Sequence, residues 1–202
     1  MIRRWDIVTI GNISRNRYWG ESEDRAVRPA MCTSTLITAD DFRLLVDPPI
    51  EEADRMAAEL NRRAGITPEQ VELVFITHAH RDHHAGLASF PFSRWLAAGE
   101  VADAINETGR YERPVKSAGQ GIADGVEPIH TPGHTLDHFS LRFTCEGRRV
   151  VIAGDAVMNR DFWRDRRGYH NSVDFTLAAA TMQHLAEIAD VIVPGHDNYF
   201  LV

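Results

Sequence analysis

The sequence predicts an α/β protein, and two observations carry that prediction. Short apolar runs of strand character alternate with amphipathic helical patterns along the chain. Four small clusters of histidine and aspartate each stand directly after one of the apolar runs. Strand ends are rigid and α/β folds gather functional side chains there, so the four clusters are expected to meet along one sheet edge.

The elements follow in order. Strands are expected at residues 6–10, 33–38 and 42–46, with Asp40 and Asp41 as the hairpin turn between the last two. A helix is expected over 50–64. Ile50, Ala53, Met56, Ala57, Leu60 and Ala64 mark its apolar stripe, Glu51 and Glu52 open it, Arg62 and Arg63 close it in keeping with the helix dipole, and Gly65 stops it. Thr67-Pro-Glu-Gln70 reads as a capping box that opens one short helical turn. A buried strand at 71–76, a helix at 101–108 and a loop at 119–125 come next. Strands at 126–130, 139–145 and 148–153 follow, the last two joined around Glu146 and Gly147. A helix at 174–189 and a closing strand at 190–193 complete the pattern.

Composition bounds the function. A chain of 202 residues with 44% hydrophobic and 25% charged side chains is read as one domain over 1–202, long enough to bury about 70% of its unfolded surface. The net charge of -7 argues against nucleic-acid or membrane-surface partners. Cys32 and Cys145 lie far apart in apolar segments, as buried thiols of a reducing compartment would. No stretch has the length or pattern of a membrane span or a signal peptide, so a cytoplasmic protein is expected. Base rates of symmetric assembly favour a homodimer.

The clusters are His78-Ala-His80-Arg-Asp82-His83, Thr131-Pro-Gly-His134, Ala153-Gly-Asp155 and Pro194-Gly-His196. No packing rule asks for four metal-type side chains within six residues, as the first of them has. Structural zinc sites are closed and rich in thiolate, whereas this set mixes imidazole with carboxylate, as hydrolytic centres do. It is a ligand set for two divalent ions, zinc foremost, with iron or manganese as alternatives. His78, His80 and His134 are expected to hold one ion and Asp82, His83 and His196 the other, with Asp155 as the bridge. A hydroxide between the ions would be the nucleophile, oriented by Asp82 as the catalytic carboxylate, which also takes up its proton.

In their order, Thr77-His-Ala-His-Arg-Asp-His83, Thr131-Pro-Gly-His-Thr135, Ala153-Gly-Asp155 and Val193-Pro-Gly-His196 resemble the motifs of the metallo-β-lactamase superfamily. The resemblance implies a four-layer αββα sandwich, two mixed β-sheets flanked by helices, with a dinuclear site on one edge. It implies a hydrolase acting on an ester, lactone, thioester or phosphodiester. Two departures narrow the subgroup. Met158 stands where acyl-homoserine lactonases of the superfamily carry tyrosine, and a chain ending at Val202 leaves no room for the added helical domain of glyoxalase II. Short single-domain members, a histone pre-mRNA nuclease among them, are closer in size and ending. Two alternatives stay open: a single-domain nuclease, and a sulfur dioxygenase with one iron at His78, His80, His134 and Asp155.

Two loops, 14–29 and 156–173, are expected to shape the pocket. Tyr18, Trp19, Arg164 and His170 are the candidate substrate-binding residues, and the arginines of the second loop suit an anionic small molecule. The competing expectation is that these arginines pair with Asp161 and Asp165. His84 and His138 flank the ligands and are read as structural neighbours.

Overall fold

The computed structural model describes residues 1–119 and 121–202, so Gln120 of the expected 119–125 loop lies outside the described residues. The first sheet opens with β1 (Ile2–Thr9), β2 (Ser34–Ala39) and β3 (Arg43–Val46), paired antiparallel. Helix α1 (Ala53–Ala64) then crosses over to β4 (Leu73–Ile76), which runs parallel to β3. Short α2 (Arg81–His84), β5 (Arg94–Ala97), α3 (Gly99–Glu107) and β6 (Lys116–Ser117) extend the parallel half, giving the order β1-β2-β3-β4-β5-β6.

The second sheet holds β7 (Val126–His130), β8 (Phe139–Cys145) and β9 (Arg148–Gly154) as an antiparallel meander. After α4 (Arg160–Asp165) and α5 (Phe175–Ile188), β10 (Val191–Pro194) joins β9 in parallel, and β11 (Phe200–Leu201) closes the edge, in the order β11-β10-β9-β8-β7.

Alternation along the strands builds the layers. Leu44, Val46 and Phe75 point between the sheets, where they meet Leu141, Phe143, Ile152 and Val193. Leu45, Val74 and Ile76 point outward, under Met56 and Leu60 of α1 and Val101 and Ile105 of α3. On the far side, Val151 and Ile192 meet Ala178, Met182 and Leu185 of α5. The result is a helix-sheet-sheet-helix sandwich with two mixed sheets. Strands buried on both faces read as unbroken apolar runs, which is why β3, β4, β9 and β10 stand out in the sequence. Among the described residues, no helix is long and apolar enough to cross a membrane.

Several elements differ from expectation for local reasons. Helix α1 begins at Ala53, after Glu52 as its N-cap in extended backbone, φ -74° and ψ 112°, and Ile50 is buried outside the helix. Strand β1 starts four residues early, at Ile2, since pairing with β2 carries it past the apolar run. Strands β5 and β6 are too short to show a period, and their state is set by parallel pairing. The supposed 156–173 loop contains α4, nucleated by Asn159, whose side chain accepts from the backbone N–H groups of Asp161 and Phe162.

The C-terminal ends of β3, β4, β9 and β10 all open on one edge of the sandwich. Phe139 N–H donates to the Thr77 carbonyl at 3.0 Å, and Thr33 N–H donates to the Gly195 carbonyl at 2.6 Å, fastening the sheets together there. Phe75 lies between the sheets one residue from the end of β4, and its ring is 1% exposed. Phe75→Ala should cost about 3–5 kcal/mol of unfolding free energy, read as a lower denaturant midpoint at unchanged slope.

Candidate metal centre

Each ligand cluster begins where a strand stops. His78 and His80 follow β4, Asp82 and His83 lie in the one-turn α2, His134 follows β7, and Asp155 and His196 follow the parallel pair β9 and β10. The folded chain brings all seven together. His78, His80, His134 and Asp155 form one potential ligand group, and Asp82, His83 and His196 form a second.

Distances define the geometry. His80 Nδ1 lies 2.9 Å from both His78 Nε2 and His134 Nε2. Asp155 is 7% exposed and faces both groups: Oδ2 is 3.2 Å from His134 Nε2 and 3.7 Å from His78 Nε2, while Oδ1 is 3.2 Å from both His83 Nε2 and His196 Nε2. Asp82 reaches within 3.6 Å of His196 Nε2, and its side chain is 29% exposed toward the cleft.

Outer partners fix the imidazoles. Buried Asp47 accepts from Thr77 N–H at 2.9 Å, Thr77 Oγ1–H at 2.7 Å and His83 Nδ1–H at 2.8 Å. His78 Nδ1 is 3.2 Å from Thr77 Oγ1, which accepts its proton because that hydroxyl donates to Asp47. His196 Nδ1–H faces the carbonyls of Met31 at 2.9 Å and Asn12 at 3.0 Å. These partners occupy the far nitrogens of His78, His83 and His196 as donors and leave each Nε2 lone pair aimed inward, as a metal ligand requires.

The buried polar atoms fit a cation. His83 Nε2 and Asp155 Oδ1 are buried without a hydrogen-bond partner. Burial keeps His78 neutral well below the ordinary imidazole range and lowers His134 to about 4. At His83 and His196 burial works the same way, but neighbouring groups outweigh it and raise both: Cys32 and then Asp155 and Asp47 at His83, Asp155 foremost at His196. Burial opposes ionisation of Asp155, and His196, His83 and His134 overcome it, holding the carboxyl well below its usual range. The pocket thus combines inward lone pairs with a field that favours positive charge, the donor chemistry of a divalent transition-metal site.

A cleft of about 350 Å³ opens over this centre. Ile13, Ser14 and Arg15 form one side and Met158, Tyr169, His170 and Asn171 the other, above His80, Asp82, Asp155 and His196. Ile13, Met158, Phe162 and Tyr169 pack into a small core that holds the two wall loops together.

A family model described as the metallo-beta-lactamase superfamily matches residues 27–196. The chain belongs to that superfamily. It is similar to an N-acyl homoserine lactonase of a Bacillus species, 24% identical over 74% of this chain and 65% of that protein. It is also similar to the mouse protein called metallo-beta-lactamase domain-containing protein 1, 28% identical over 92% of this chain and 72% of the relative. The chain therefore spans roughly two thirds of the length of these curated relatives. Among solved structures, a Thermotoga maritima protein of metallo-beta-lactamase type shares the fold with a TM-score of 0.71 at 20% identity, covering 100% of this chain and 99% of that one.

Of the four expected substrate-binding residues, the metallo-beta-lactamase fold of this chain brings only His170 to the cleft. Tyr18 donates to Asp165 at 2.6 Å and packs edge-on against Phe162, Trp19 lies 65% exposed with Arg28 over its ring, and Arg164 is exposed on α4. Nor do the arginines of the second loop pair with Asp161 and Asp165. Asp161 accepts from Asn16 and Asp165 from Tyr18, while Arg166 stacks on Trp163. His84 bonds Tyr111 Oη through Nδ1 at 2.8 Å, and His138 lies beside the His78 ring with Nδ1 on Thr131 Oγ1 at 2.8 Å.

Sequence reasoning passed over Asp47, Arg15, Ser14 and Asn171. Asp47 carried a usable signal, since it follows the apolar run of β3 just as the ligand clusters follow theirs. It also takes a left-handed backbone, φ 52°, which asparagine tolerates as well as aspartate does. Asp47→Asn should therefore keep the fold while removing the charge that orients His83. Metal affinity should fall by about 10- to 100-fold, measured by competition with a chelator of known strength.

Proposed function

We propose that this protein is a metal-dependent hydrolase that holds two divalent ions, zinc foremost, and cleaves an ester, lactone, thioester or phosphodiester bond in a small molecule. One observation carries the reading: Asp155 turns one oxygen to each of two imidazole groups. A mononuclear centre needs neither that bridge nor the second group, which disfavours the single-iron alternative. When bound, the two ions would supply Lewis acidity, bringing the pKa of a water to about 7 and polarising the scissile group.

The chain's own residues do the rest. His78, His80 and His134 hold the first position, Asp82, His83 and His196 the second, and Asp155 is shared. Asp47 and the Met31 and Asn12 carbonyls keep the rings turned inward. Of the two carboxylates of the set that line the cleft, Asp82 is the more exposed, so it is placed to orient the attacking water and accept its proton. Ile13 from one wall of the cleft and Met158 and Tyr169 from the other pack together and shield it from solvent. The likeness to the Bacillus N-acyl homoserine lactonase supports a lactone among the first substrates to try. The two buried free cysteines and the acidic balance support a reducing, cytoplasmic setting.

Elemental analysis of protein purified without added metal should return two ions per chain. A panel of lactone, thioester and phosphodiester substrates should show hydrolysis that a chelator abolishes and added metal restores. One iron per chain with oxygen uptake would overturn the proposal. Asp82→Asn should lower kcat by at least about 100-fold with the melting temperature of the metal-loaded protein little changed, and an active Asp82→Asn enzyme would remove the role given to Asp82.

A further inference from the structure

The cleft has a second chemical pole besides the imidazole and carboxylate cluster. Arg15 lines it on the side of the 14–29 loop. Neighbouring Arg17 and Arg167 face Glu23, Arg28 is held by Glu21, and Arg81 across the cleft is held by Glu51. Arg15 makes no ion pair among the described residues. One guanidinium N–H group is used, from Nη1 to the Glu23 carbonyl at 2.6 Å, and Nε is buried without a partner.

The position of Arg15 is built rather than incidental. Tyr169 Oη accepts from Arg15 N–H at 3.2 Å and donates to the Arg15 carbonyl at 3.0 Å, and it also meets Ser14 Oγ at 3.1 Å. Its ring is 7% exposed in the small core with Ile13, Met158 and Phe162. The arginine backbone is thereby clamped to the wall that presents the next two residues, His170 and Asn171, to the same cleft. Neither side chain is spent on a hydrogen bond among the described residues. Burial, and then the charge of Arg15, lower the pKa of His170, which leaves a neutral ring able to donate one hydrogen bond.

We propose that Arg15, with His170 and Asn171, forms an anion subsite that receives a carboxylate or phosphate group of the substrate at a distance from the scissile bond. Rigid, partly buried guanidinium donors without a counter-ion suit a planar or tetrahedral oxyanion. The inference rests on the hydrolase reading, and the substrate class is then a small ester, thioester or lactone with a free anionic end. It also moves anion recognition from the arginines of residues 160–167 to the opposite loop.

Binding tests this without turnover. Protein as purified is titrated calorimetrically with succinate, glutarate and adipate, each against its half-amide, and with 3-phosphonopropionate. At least one dianion should bind about tenfold or more tightly than its monoanionic partner, and comparison with the phosphonate shows whether carboxylate or phosphate is preferred. Arg15→Ala should erase the difference at unchanged melting temperature and metal content, Arg15→Lys should retain part of it, and Arg148→Ala at the opposite end of β9 should leave it intact. Equal affinity for dianion and half-amide, no binding of either, or an Arg15→Ala protein that keeps the preference overturns the proposal. A protein that hydrolyses nothing yet keeps an Arg15-dependent preference refutes the hydrolase reading alone. Hydrolysis indifferent to both the anionic end and Arg15 refutes the subsite alone.

Discussion

Two buried carboxylates, Asp47 and Asp155, set the terms for everything around them. Each is taken almost wholly out of water, at 1% and 7% exposure, and a buried carboxylate costs several kcal/mol unless partners replace its hydration. Those partners come from distant parts of the chain. Asp47, at the end of β3, is satisfied by Thr77 after β4 and by His83 in α2. Asp155, at the end of β9, is surrounded by imidazoles from behind β4, β7 and β10. The two carboxylates meet through His83, whose Nδ1 faces one and whose Nε2 faces the other. Misplacing either sheet would strand a charge, so the packing of the sandwich and the shape of the centre are one problem.

Close approach of backbone to its neighbours explains two of the glycines that precede ligands. A Cβ added at Gly195 would collide with Asp155 Oδ1, so the turn that delivers His196 can pass beside the carboxylate only without a side chain. Gly133, at φ 136°, packs its backbone against Ala178 of α5, and its carbonyl accepts from Asp174 N–H. The turn carrying His134 is in this way seated on the start of a long helix rather than left to solvent. Such seating makes a site of loops behave as part of the rigid scaffold.

The cleft above the centre depends on a different contact. Its walls come from segments more than 140 residues apart, joined by Tyr169 and the few apolar side chains packed with it. Met158 belongs to this small core, 3% exposed. It therefore serves two surfaces at once, a packed wall behind and a pocket lining in front. On the outer surface several arginines are matched in pairs such as Arg149 with Asp190 and Arg142 with Glu127. Arg15 differs because its counter-ion is missing where the pocket is.

By itself, the sequence determined the type and order of the metal-type side chains, the strands that precede them and the family, because these are encoded locally. A buried strand must read as an apolar run, and a ligand cluster must follow within a few residues of its end. Tertiary structure alone decided which oxygen of Asp155 faces which histidines and that Asp47 belongs to the centre, since its partner His83 lies 36 residues away. It also decided the cleft. Tyr18, Trp19 and Arg164 were selected by composition, yet α4 turns Phe162 and Trp163 inward and Arg164 outward, and Tyr18 is engaged by Asp165. The residues that do line the cleft, Ser14, Arg15 and Asn171, sit in irregular backbone without a period to read. Their direction is set by long-range contacts through Tyr169, and short-range sequence patterns carry no record of such contacts.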